Sequence, residues 1–300
     1  MQRLQWLHSL LLFVVMGFVG GQALAASSQP VKKAKPTTQK AKPTTQKVKP
    51  ASFSWKWKKG SVLKYYQRTN VEMLWMVGQK GTKTKAFFEG ELEVRVQKVN
   101  ARGVASVVCH YKWVHFRQSH GKKKVNFDSR KAKDLARAKT DPTLKGNASI
   151  LKVLYLLKVT PDGSILESKL RLGPKHVVSF PKESLQALFI RFSQKKLPLG
   201  SKWSNASLAN LSGGVFQKLQ YHFVKWVSCG AFRCGAFEVK LTHTKGTGKS
   251  TKKLGSGWGK TLFSPSQGRL LLQQYQSRIT MPKASGAGVI SVRHIYRNLP

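Results

Sequence analysis

Histidines, carboxylates and cysteines are the residues of this chain whose types and spacing could do chemistry. His110, His115 and His120 recur every five residues. Side chains on a strand alternate between faces, so an odd spacing sends successive histidines to opposite sides and argues against a shared metal. Glu89, Glu91 and Glu93 form the one close carboxylate cluster. Alternation puts all three on one face, which would suit calcium or a cationic ligand. The excess of basic neighbours makes pairing to Lys and Arg across the sheet the stronger expectation. His243-Thr-Lys-Gly-Thr-Gly248-Lys249-Ser250 looks like half of a phosphate-binding loop, but His243 stands where the first glycine belongs and a strand pattern follows instead of a helix. Gly255-Ser256-Gly257-Trp258-Gly259 lacks the glycine spacing of a nucleophile elbow. No catalytic, cofactor-binding or metal-ligating constellation emerges, and the expectation is a protein that is not an enzyme and needs no cofactor.

Cys229 and Cys234 bracket four residues between two strand-like runs. A hairpin there brings their Cβ atoms within disulfide reach, and two sulfurs without an adjacent His would leave zinc short of ligands. Cys109 lies in an apolar strand and reads as a buried free thiol.

Charge points to a partner. Across 300 residues, 54 Lys and Arg face 11 Asp and Glu, a formal net charge of +43. Residues 1–25 read as a signal peptide: Arg3 opens them, residues 10–19 are an apolar core, and Ala23-Leu24-Ala25 is a small-x-small cleavage site. That core is short for a membrane span and no later stretch is long and apolar enough for one, so no span is expected after cleavage. Loss of Arg3 leaves +42. Residues 26–51 read as a disordered linker that repeats the heptad Ala-Lys-Pro-Thr-Thr-Gln-Lys from Ala34 and again from Ala41. An exported chain of this charge, in the periplasm or outside the cell, suits an anionic envelope polymer or membrane surface, with no specific nucleic acid expected. The candidate polyanion contacts are Lys32, Lys33 and Lys35 in the linker, Lys122, Lys123, Lys124, Arg130 and Lys131 in a basic stretch, and Lys249, Lys252 and Lys253 in a Gly-rich loop.

Residues 52–300 read as a single β-rich domain. The class is mainly β: an antiparallel curved sheet or barrel-like fold. Phe53, Trp55 and Trp57 alternate with polar residues, as do Leu92, Val94 and Val96. Residues 121–145 read as a mobile basic excursion with a short helix near 132–138. One main amphipathic helix is expected over about 179–196, covering or plugging the sheet. Ser179 and Pro181 suit its start, Leu185, Leu188, Phe189 and Phe192 fall on one stripe, and Pro198 stops it. That stripe either packs the core or lines a site for a lipid or other apolar ligand, the alternative function. Lys59-Gly60-Ser61 and Leu199-Gly200-Ser201 each open a run of strands, an echo that allows two similar halves.

Together, Trp57-Lys-Lys-Gly60-Ser-Val-Leu-Lys-Tyr65, Phe127-Asp128-Ser129, Val159-Thr-Pro-Asp-Gly163-Ser-Ile165 and Leu197-Pro-Leu-Gly200-Ser-Lys-Trp203 resemble the pattern of a family of exported bacterial β-rich proteins of unknown function, over about residues 53–296. The resemblance implies an exported β-rich domain and no chemistry. A looser analogy of architecture is to periplasmic lipoprotein carriers, whose half-open barrels hold acyl chains.

Overall fold

The structure is a computed structural model and describes residues 51–77, 80–172, 188–193, 196–211, 215–245, 251–283 and 286–300. Residues 1–25, read as a signal peptide, and nearly all of the stretch read as a linker lie outside the described residues. The elements in chain order are β1 (Ala51–Ser52), β2 (Val62–Val77), β3 (Lys80–Val99), β4 (Ala105–His120), β5 (Lys123–Asp128), α1 (Ala132–Thr140), α2 (Pro142–Ser149), β6 (Leu154–Val159), β7 (Ile165–Leu172), β8 (Lys196–Leu197), β9 (Lys202–Leu211), β10 (Val215–Cys229), β11 (Phe232–Lys245), β12 (Lys252–Ser264), β13 (Arg269–Lys283) and β14 (Gly286–Leu299).

Twelve strands make one antiparallel sheet in the order β7-β6-β4-β3-β2-β14-β13-β12-β11-β10-β9, with β5 also paired to β4. Two hairpin runs meet where β14, the last strand, pairs with β2. The sheet is not a closed barrel: among the described residues β7 and β9 are its edges.

Period-two patterning builds the inner face. Tyr221, Val239, Gly259, Tyr275, His294, Thr69, Phe88, Phe116 and Phe127 lie in register across successive strands from β10 to β5. Every one is buried. A register slip of one residue would turn this row to solvent, so burial itself fixes the pairing.

An aromatic cluster fills one end of the interior. Phe53 packs against Phe192, Phe223, Trp226, Phe237 and Phe263, and Trp55 against Phe189 and Phe263. Each such ring contributes roughly 2 kcal/mol from burial. Residues 53–57 are not a strand, as their alternation suggested. They are an extended strap whose backbone bonds reach turns: Trp55 N donates to Pro161 O at 2.7 Å and Lys56 N to Gly268 O at 3.0 Å.

The expected helix over 179–196 also needs correcting. Residues 179–187, Leu185 among them, lie outside the described residues, but 188–193 are turn and irregular backbone, and Lys196–Leu197 is a strand paired to β1. Their backbone groups bond to other elements instead of to the next helical turn. Ile190 O accepts from Trp55 Nε1 at 3.0 Å, Phe192 N donates to Asp162 O at 2.8 Å, and Arg191 O accepts from both Trp203 Nε1 and Asn205 Nδ2. The segment therefore ties the β6–β7 turn to β9, near the two edges of the sheet. Gly163 in that turn has φ +89°, and a Cβ there would sit 2.1 Å from Ile190 O, so only glycine admits the segment.

The basic stretch over 121–145 is likewise folded in rather than an excursion. Lys123–Asp128 is β5, α1 and α2 follow, and Phe127, Asp128, Asp134 and Leu144 are buried. The Cys229–Cys234 disulfide is formed, on a hairpin whose turn is Gly230-Ala231 rather than four residues.

Candidate functional site

On the face opposite the core, β9 to β13 form a groove of about 1030 Å³. Strand alternation decides which side chains reach it. β11 presents Glu238 and Lys240, β12 presents Ser256, Trp258 and Lys260, and β13 presents Gln276 and Arg278. Lys202 and Ser204 of β9 and Gln220 and His222 of β10 complete the wall.

Trp258 is the centre. It is 61% exposed in the middle of a sheet, the most exposed large apolar side chain among the described residues. Lys240 and Gln276 stand directly opposite it on the two neighbouring strands, and Ser256 and Lys260 flank it along its own strand. Directly opposed Cβ atoms lie about 5 Å apart, so these groups surround the indole. Four cations face one carboxylate: His222 Nδ1 approaches Glu238 Oε2 at 3.6 Å, while Lys202, Lys240, Lys260 and Arg278 have no carboxylate within ion-pair distance among the described residues. Unpaired cations along a concave wall focus field on an anion.

Three inward glycines shape β12. A Cβ on Gly255, Gly257 or Gly259 would come 1.8 Å from Arg278 O, 1.9 Å from Ser277 Cβ or 2.3 Å from Gln274 O. β12 thus lies against β13 more closely than any side chain on that face would allow. The motif read as a failed nucleophile elbow is this close approach. Its signal was legible: Trp258 occupies the polar register of its strand, with glycines in the apolar one.

The sequence candidates are dispersed. Lys122 sits at the β4–β5 turn, Lys123 and Lys124 on β5 and Lys131 before α1, all exposed. Lys252 and Lys253 open β12, with β13, β14, β2 and β3 between that strand and β4 in the sheet order. Arg130 is engaged elsewhere: it binds both oxygens of Asp128 at 2.8 Å and lies over Trp113 at 4.2 Å. Those hydrogen bonds hold the Asp128 carboxyl at about 2. Lys32, Lys33, Lys35 and Lys249 lie outside the described residues. Leu188, Phe189 and Phe192 meet packed side chains, so the described part of the apolar stripe is core.

The glutamates share one outer face, as alternation required. Tyr66 Oη donates to Glu89 at 2.6 Å, and Trp113 Nε1 and Arg95 bind Glu91 and Glu93. The histidine argument needs revision. A β-bulge between Tyr111 and Trp113 returns His110 to the face of His115, opposite Glu93 and Glu89 respectively, while His120 bonds the buried Thr84. No cluster of three metal-ligating side chains occurs among the described residues. Cys109 is free and buried, and burial pushes its thiol up to about 12.

No family model and no curated protein matches the chain. Among solved structures, lipovitellin, from a study of its lipid–protein interactions, is 9% identical with a TM-score of 0.32. It covers 81% of this chain, which spans 25% of lipovitellin's length. A Bacteroides fragilis protein, described as exported and with a YmcC-like fold, is 10% identical with a TM-score of 0.22 over 83% of this chain and 100% of its own. A DUF1329 family protein from Desulfovibrio piger is 9% identical, with a TM-score of 0.16 over 76% and 83%. These are weak likenesses of fold and carry no argument about function.

Proposed function

We propose that this protein is an exported, non-enzymatic binding domain that holds an anionic envelope polymer through the groove of β9 to β13. One observation carries this reading: Lys202, Lys240, Lys260 and Arg278 line a single concavity that holds one carboxylate, Glu238, which stands across from Lys260 but within ion-pair distance of His222 alone among the described residues. The net charge of +43 adds a long-range pull on any polyanion, and the Cys229–Cys234 disulfide fits an oxidising compartment.

The test is a salt titration of binding to lipopolysaccharide and to polyphosphate, with the native chain and with Lys240→Glu/Lys260→Glu. Binding at low salt should weaken as salt rises, and the double variant should bind less tightly. Its log–log salt slope should be shallower by about one unit per lysine. Absence of binding at low salt, salt-independent binding, or a variant that binds like the native chain would sink the reading.

A further inference from the structure

Resting on that reading, we infer that the polymer held in the groove is an acidic saccharide whose ring stacks on Trp258. Charge alone does not account for this site. A polyphosphate needs cations and little else, and a large exposed indole among them would only add apolar surface to water. Here the indole is 61% exposed and has Lys240 and Gln276 opposite it, Ser256 and Lys260 beside it, and Arg278 opposite Ser256.

Each part answers one part of a uronic-acid or similarly charged sugar. The flat indole face matches the axial C–H face of a pyranose ring, an apolar surface with a polar rim. The Gln276 amide and the Ser256 hydroxyl both donate and accept, which is what sugar hydroxyls require. Lys240, Lys260 and Arg278 supply charge for a carboxylate. Spacing agrees, because directly opposed residues on adjacent strands lie about 5 Å apart and diagonal ones about 7–8 Å. A short run of saccharide units laid over Trp258 therefore reaches all of these groups.

Single-stranded nucleic acid is the rival ligand, since bases also stack on tryptophan. Its platforms stack successive bases on successive aromatic side chains. This groove offers one large outward ring, Trp258. Trp203 and Tyr221, also in its lining, are turned to the inner face, where they are buried and stacked on each other at 5.2 Å, and the smaller His222 imidazole stands 3.6 Å from Glu238.

The experiment compares three labelled polymers of matched charge at one low salt concentration: polygalacturonate, inorganic polyphosphate and a single-stranded oligodeoxynucleotide. Each is titrated with the native chain, Trp258→Ala and Trp258→Phe. Polygalacturonate should bind tightest, weaken about tenfold in Trp258→Ala and recover in part in Trp258→Phe, whose smaller ring still stacks. Polyphosphate affinity should change less than about twofold, because its contacts are the lysines. Equal polygalacturonate affinity in the native chain and Trp258→Ala would overturn the saccharide assignment while leaving the polyanion reading intact. Tighter oligonucleotide binding with the same Trp258 loss would give the groove to nucleic acid instead. Failure of all three polymers to bind the native chain would overturn the polyanion reading and this inference with it. An unchanged unfolding midpoint in Trp258→Ala shows that a lost affinity is not a lost fold.

Discussion

His243 and His294 sit on the inner face, each with one ring nitrogen bonded. His243 Nε2 meets Ser277 Oγ at 2.9 Å and His294 Nδ1 meets Thr69 Oγ1 at 2.8 Å. Burial drives them down to about 4 and about 3. Both rings are therefore neutral in the folded chain at pH values where the unfolded chain, titrating near about 6.5, takes up protons. The unfolded state binds more protons, so stability is complete above about pH 6.5 and falls as pH drops toward the folded values. At pH 5 the loss should be roughly 2 kcal/mol per histidine. Urea midpoints measured from pH 8 to 4.5 check this, and His243→Gln should flatten the slope. A midpoint unchanged between pH 7 and 5 would contradict the assignment. The carboxyls held below their usual range, Glu72, Glu89, Glu93, Asp162, Glu167 and Asp128, lose their stabilisation below about pH 5, so the interval from pH 7 to 5 is the one that reports the histidines. Neither histidine's environment was visible in the sequence, where His243 mattered only as a misfit in a phosphate-loop pattern.

Among the elements, β12 joins the fold to the groove. Its three inward glycines let it lie against β13, and its outward positions carry Ser256, Trp258 and Lys260. Gly257→Ala would put a methyl group 1.9 Å from Ser277 Cβ, so the strands must part. The variant should lose roughly 1–3 kcal/mol, read as a lower denaturant midpoint, and should bind the polymer less tightly as the outward side chains lose their spacing. A midpoint within error of the native chain would mean that the strands are not held at this distance. Strand identities were largely readable: β3, β4, β10, β11, β13 and β14 follow alternation and turn residues. The element read as the main helix was misread over 188–193. Apolar residues at 188, 189 and 192 fit a helical stripe, yet Leu188, Phe189, Ile190 and Phe192 are all buried because the segment threads through the core. Helical spacing cannot separate one buried face from a segment buried all round.

For the whole molecule, charge opposes folding and would favour the proposed binding. A formal charge of +43 opposes compaction, and salt relieves it. The melting temperature should rise between about 0.01 M and 0.1 M salt, as the Debye length shrinks from about 30 to about 10 Å. Polymer affinity should fall over the same range. A melting temperature that falls with salt would show that the carboxylate pairs, such as Lys83–Glu72 and Lys158–Glu167, outweigh the repulsion.

The sequence by itself determined what depends on local pattern: a β-rich antiparallel chain, inward and outward faces along most strands, the Cys229–Cys234 hairpin, the buried thiol of Cys109 and the basic charge. Only the tertiary structure decided what depends on residues far apart in the chain. β14 pairs with β2 across more than 200 residues, Phe53 and Trp55 lock onto 188–193, and one Lys or Arg from each of β9, β11, β12 and β13 meets in a groove around Trp258. Alternation says which face a lysine takes. It does not say which strand lies beside it, and that neighbour is what turns dispersed charge into a site.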